Sequence, residues 1–113
     1  VPRSCPTPAL RRPWLERMAD ILASLHVHGC FHADLKVANW VAGPDARLRV
    51  VDCDDVRFYR TLPEWARERN LRQLAETCPP GVTAREKLRF LALYGRFAEL
   101  PAGWVRAFAA QLG

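Results

Sequence analysis

The sequence predicts a mostly helical α+β domain carrying one small β-hairpin. Apolar residues recur at three- and four-residue intervals in the first third of the chain and again at its end, which is helical spacing. Two Thr-x-x-Glu patterns open further runs in the second half, as helix N-termini do. Only the middle, between residues 39 and 52, offers short β-type runs around a cluster of turn-forming residues. With 113 residues, half of them apolar, the chain suits one compact domain with a modest core.

Pro2, Pro6, Pro8 and Pro13 restrict the backbone and remove donors, so residues 1–12 read as a proline-rich linker and residues 13–113 as the domain. From Pro13, a favourable first-turn residue, Trp14, Leu15, Met18, Ile21, Leu22 and Leu25 mark one face of a helix that should end near Gly29. Asn39 to Ala42 and Leu48 to Asp52 read as two strands around the turn Gly43-Pro44-Asp45-Ala46. Asp52 then stands where a strand gives way to a loop, a place where side chains are available to ligands. Thr61 with Glu64 predicts a helix toward Leu74, and Thr83 with Glu86 a helix through Phe97. A last helix should set Trp104, Val105, Phe108 and Leu112 on one face, as core.

Seventeen basic residues against twelve acidic ones leave a formal charge of +5, and only Lys36 and Lys87 among the basic residues are lysines. Such a balance favours anionic partners, but the charges are scattered and no nucleic-acid reader motif accompanies them, so nucleic acid is not an expected partner. The four cysteines are far apart without a CxxC pair, which suits reduced thiols in a cytosolic setting. No apolar run approaches the ~18 residues of a membrane span, so a soluble protein is expected. The chain opens on Val1, not methionine, and is expected to be part of a longer one.

The densest chemistry lies in HGCFHADLKVANW, residues 28–40. His32-Ala33-Asp34-Leu35-Lys36-Val37-Ala38-Asn39 fits H-x-D-L-K-x-x-N, with Asp52 following at the end of an apolar strand. This arrangement resembles the catalytic loop and metal-binding aspartate of the protein-kinase-like fold. Phosphoryl transfer needs a carboxylate beside the attacking hydroxyl, a cation beside the moving phosphate and hard oxygen ligands for magnesium. The resemblance therefore implies ATP and Mg2+ as cofactors. It makes Asp34 the catalytic aspartate, Lys36 the cation that stabilises the phosphate, and Asn39 and Asp52 the residues that hold magnesium with the nucleotide. His32 is expected to support the loop backbone, and Asp54 to cap a loop or add a second acidic ligand.

Ala33 replaces the arginine of many regulated protein kinases, and Asp52-Cys53-Asp54 lacks the usual glycine. Only a short stretch separates Asp52 from Thr61, leaving no room for a platform that holds peptide substrates. With Leu25-His26 through Asn39, Val50 through Asp54, Arg69 through Leu74 and Glu86 through Gly95, the chain is similar to the bacterial lipopolysaccharide kinase family, the Kdo-kinase-like branch of the fold. That likeness implies phosphorylation of a sugar hydroxyl in a glycolipid or another small hydroxyl acceptor. It also implies a cytoplasmic protein, peripheral at the inner membrane, in contact with an anionic membrane surface.

No G-x-G-x-x-G loop and no strand lysine occur in the 113 residues, so the chain reads as a C-terminal lobe alone, needing an N-terminal lobe or a partner chain. Two other readings compete: a non-catalytic kinase-like lobe acting as a binding or scaffold module, and a zinc module built from His26, His28, Cys30 and His32.

Overall fold

The computed structural model describes residues 8–36, 40–42, 48–50 and 55–112. Among them, four helices and two small antiparallel sheets give the α+β class the sequence predicts. In chain order they are α1 (Pro8–Val27), β1 (Cys30–His32), β2 (Trp40–Ala42), β3 (Leu48–Val50), β4 (Val56–Phe58), α2 (Glu64–Glu76), α3 (Ala84–Phe97) and α4 (Ala102–Leu112).

Helix α1 begins at Pro8, so residues 8–12, expected as linker, form its first turns and Pro13 lies inside the helix. Having no N–H, Pro13 leaves the Ala9 carbonyl one turn earlier without its intrahelical donor, so α1 runs through it at the cost of one backbone hydrogen bond. Met18, Ala19, Leu22 and Ala23 make the buried stripe of α1 and meet Leu71 and Leu74 of α2, Phe90, Leu91 and Tyr94 of α3, and Phe108 of α4. Leu35 and Trp40, both fully buried, join the same cluster from the segment that carries the motif. A second, smaller cluster of Phe31, Leu62 and Ala66 seats β1 against the start of α2.

The expected hairpin is present, with Trp40 opposite Val50 and Ala42 opposite Leu48. A second pairing was not anticipated: β1 runs antiparallel to β4, Cys30 opposite Phe58 and His32 opposite Val56. Three-residue strands carry too little alternation to be read from sequence, and these two are joined only when the intervening chain returns.

Helix α3 opens on the expected capping box, in which Thr83 Oγ1 accepts from the Glu86 N–H and Glu86 Oε1 accepts from the Thr83 N–H. The other oxygen of Glu86 accepts from Arg11 Nε at 2.7 Å, which ties the start of α1 to the start of α3. Those contacts pull the Glu86 carboxyl down to about 2. Helix α2 departs from expectation: its N-cap is Pro63, with no side-chain cap, and Thr61 lies outside the helix. Glu64 thus occupies the first helical position, where its carboxylate accepts from Trp104 Nε1 at 2.7 Å. On α4, Phe108 is buried and stacks with Trp104, whereas Leu112 is largely exposed.

Candidate functional site

The site begins where α1 stops. Gly29 adopts φ +79°, donates its N–H to the His26 carbonyl and accepts from the Tyr59 N–H at 2.8 Å. This left-handed turn sends the chain directly into β1. The β1–β4 ladder continues one step beyond His32, with the Ala33 N–H donating to the Asp55 carbonyl at 2.9 Å. The chain shortly after Asp52, the aspartate expected to hold magnesium, is thereby joined to the residue before Asp34.

Past Ala33 the backbone folds on itself. The Asp34 N–H donates to His32 Nδ1 at 3.1 Å and the Lys36 N–H to the Asp34 carbonyl at 3.1 Å. Leu35 is wholly buried between two partly exposed neighbours, so an apolar plug fixes the loop while Asp34 and Lys36 stay at the surface. Lys36 Nζ stands 3.5 Å from Asp34 Oδ1. An exposed pair of this kind contributes at most about 1 kcal/mol to stability.

Helix α2 holds the loop from the other side with two amides. Asn70 Nδ2 donates to the His32 carbonyl at 2.6 Å, and Gln73 Nε2 donates to the Ala33 carbonyl at 2.9 Å. Gln73 Oε1 accepts from the Leu35 N–H at 3.2 Å. Three loop residues, His32, Ala33 and Leu35, are therefore tied to one helix face, and their backbone groups find partners where water is excluded. Asn70 in turn meets His26 Nε2 through Oδ1 at 2.9 Å.

Of the residues expected at the site, the structure brings Asp34 and Lys36 together. Asn39 and Asp52 lie outside the described residues, as does Asp54; described chain brackets each of them, Lys36 and Trp40 on one side, Val50 and Asp55 on the other. His32 uses Nδ1 and its carbonyl on the loop, in keeping with a supporting role. Because Nδ1 accepts there, a neutral His32 carries its proton on Nε2, and that buried atom has no hydrogen-bond partner among the described residues. The zinc arrangement does not form: both ring nitrogens of His26 are taken by Tyr94 and Asn70, and His28 Nδ1 bonds the Ser24 carbonyl. No cluster of three or more His, Cys, Asp or Glu able to hold a metal occurs among the described residues.

Sequence reasoning missed His26, Asn70 and Gln73 as parts of the site. A signal existed for the first, since His26 continues the 18–22 spacing of the buried stripe on α1 by one more turn. Asn70 likewise sits in the buried row of Ala66 and Leu74. Burial lowers His26 from 6.5 to about 4, so the folded ring stays neutral at ordinary pH. Its contribution to stability is complete above 6.5 and is lost as the pH falls toward 4, because the unfolded chain binds the proton first. The expected loss over that window is about 3 kcal/mol. Urea denaturation at pH 7.5 and pH 4.5 measures it, and the His26→Gln variant should show a correspondingly flatter pH dependence.

The model of the "Lipopolysaccharide kinase (Kdo/WaaP) family" matches residues 3–94. The chain is also 30% identical over 99 residues to "Lipopolysaccharide core heptose(I) kinase WaaP" of Pseudomonas aeruginosa. That alignment covers 80% of this chain and 37% of the relative, so the chain spans little more than a third of the relative's length. No solved structure matches.

Proposed function

The chain belongs to the lipopolysaccharide kinase (Kdo/WaaP) family, and from that premise we propose that it supplies the catalytic loop for transfer of the ATP γ-phosphate to a sugar hydroxyl of a lipopolysaccharide-type glycolipid. The observation that carries the reading is the placement of Asp34 and Lys36: a carboxylate and an ammonium 3.5 Å apart, reachable from solvent, on a backbone pinned by α2. In this reading the Asp34 carboxylate orients the acceptor hydroxyl and takes up its proton as the bond from that oxygen to the γ-phosphorus forms and the bond to the departing ADP breaks. Lys36 balances the charge on the phosphate oxygens and steers the carboxylate by its own proximity.

Asn39 and Asp52 are the residues that would hold Mg2+. An amide oxygen and a carboxylate are the hard donors that ion takes, and both sit in segments whose flanks adjoin the loop. Magnesium, when bound, neutralises charge on the nucleotide phosphates. Leu35, buried beneath, keeps Asp34 and Lys36 from turning inward.

The acceptor is proposed as a heptose or related sugar of a lipopolysaccharide core, after the printed function of the Pseudomonas relative. Reaching such an acceptor would place the protein at the cytoplasmic face of the inner membrane, where the net charge of +5 favours an anionic surface. No helix among the described residues is long and apolar enough to cross a membrane. The test is magnesium-dependent transfer of label from ATP to lipopolysaccharide core acceptors by the natural gene product that carries this chain. Binding of the acceptor without any transfer would favour the scaffold reading instead.

A further inference from the structure

Behind the loop lies a run of buried hydrogen bonds whose direction can be worked out from both ends. At one end, Arg67 Nη1 donates to the Tyr94 hydroxyl at 2.7 Å. A guanidinium has only donors, so the single O–H of Tyr94 is left for the next partner, His26 Nδ1, 2.5 Å away. His26 Nδ1 must then accept, and the proton of the neutral ring resides on Nε2.

The other end gives the same answer independently. The His32 carbonyl can only accept, so Asn70 presents its amide nitrogen there and turns Oδ1 toward His26. An oxygen in that position needs a proton on His26 Nε2. His26, Tyr94 and Asn70 are each no more than 2% exposed, so water cannot substitute for a lost link. Arg67 is itself steadied from outside, its Nε standing 3.6 Å from Glu64 Oε1, which also receives the Trp104 indole N–H.

We propose that Arg67 and Tyr94, whose side-chain hydrogen bonds go to each other and to His26 and not to the loop, are positioning residues for it, selecting the Nε2–H tautomer of His26 and through it the orientation of Asn70. The proposal rests on reading residues 32–36 as the catalytic loop, and it deepens that reading by tying the loop to α3. If His26 moved its proton to Nδ1, Asn70 would face a bare Nε2. Its amide could satisfy that nitrogen only by turning away from the His32 carbonyl, and the loop would lose one of its ties to α2.

Tyr94→Phe keeps the ring and its edge-on contact with His26 but removes the hydroxyl. Two readouts are made on the folded chain by NMR: the 15N shifts of His26, which distinguish the tautomers, and amide hydrogen exchange at Leu35, whose N–H is held by Gln73. The expected result is a departure of His26 from the pure Nε2–H form. Exchange at Leu35 should also rise about tenfold beyond any change at helix-interior amides such as Leu22. Arg67→Met, at a position nearer the surface, repeats the test should Tyr94→Phe fold poorly; Arg67→Lys, which keeps a donor-only cation, should restore both signals. An unchanged His26 tautomer, or Leu35 exchange that moves only with global stability, overturns the proposal.

In the natural gene product, Tyr94→Phe should lower kcat about tenfold with KM for ATP unchanged. The two readings separate cleanly. If the NMR signals respond while Asp34→Asn leaves transfer intact, the catalytic reading fails and the coupling to the loop stands. If Asp34→Asn abolishes transfer while Tyr94→Phe moves neither NMR signal, the coupling fails alone.

Discussion

Asp34→Asn in the natural gene product is expected to reduce kcat for phosphoryl transfer by about 10²- to 10⁴-fold, the range that a positioned acid–base group supplies. The exchange removes a charge and a proton acceptor at nearly constant shape. Two of the contacts Asp34 makes belong to its backbone, the N–H on His32 Nδ1 and the carbonyl that receives the Lys36 N–H, and both survive the substitution. The lost contact with Lys36 is partly exposed and costs at most about 1 kcal/mol. Activity and stability should therefore part company. A steady-state assay beside a urea denaturation curve reads both, and retention of more than a tenth of wild-type kcat in a folded variant would remove Asp34 from the chemistry.

Gly29→Ala is expected to destabilise the chain by on the order of 4 kcal/mol, a size seen only when a substitution meets a specific obstruction. Two causes act together. The φ of +79° is strained for any residue with a Cβ, and a Cβ here would fall 1.9 Å from the Tyr59 carbonyl oxygen. That oxygen belongs to backbone, and the same two residues are joined by the Tyr59 N–H on the Gly29 carbonyl, so neither strand can withdraw without opening the β1–β4 ladder. The loss should reach the site, because the same ladder joins Ala33 to Asp55 beside Asp34. Gly103→Ala provides the control. A Cβ there meets nothing within 4 Å, and the residue lies in α4, where alanine is the better helix former. Chemical denaturation of both variants should show a large loss for the first and no loss, or a gain of about 0.5 kcal/mol, for the second.

Several features follow from sequence because they are local. The periodicity of Met18 and Leu22, the capping box of Thr83 and Glu86, and the breakers between Trp40 and Leu48 each involve residues a few positions apart, so their neighbours suffice to specify them. Locality also explains the misreadings. Thr61 and Glu64 have the capping-box spacing, but Pro63 between them, fixed near φ −61° with ψ 145°, takes the N-cap position two residues later and leaves Thr61 outside the helix. Pro13, read as a start, lies within α1.

Sequence alone thus determined the mostly helical α+β class and the family, and it supplied the residue types on which the proposed phosphoryl transfer rests, since a motif at fixed spacing is written along the chain. Only the tertiary structure decided that His26, Asn70, Gln73 and Tyr94 stand behind that loop, and that β1 finds its partner in β4. The reason is physical. A histidine, an amide and a phenol carry no preferred partner until three helices converge and exclude water, at which point each buried donor and acceptor must be matched and one set of partners remains.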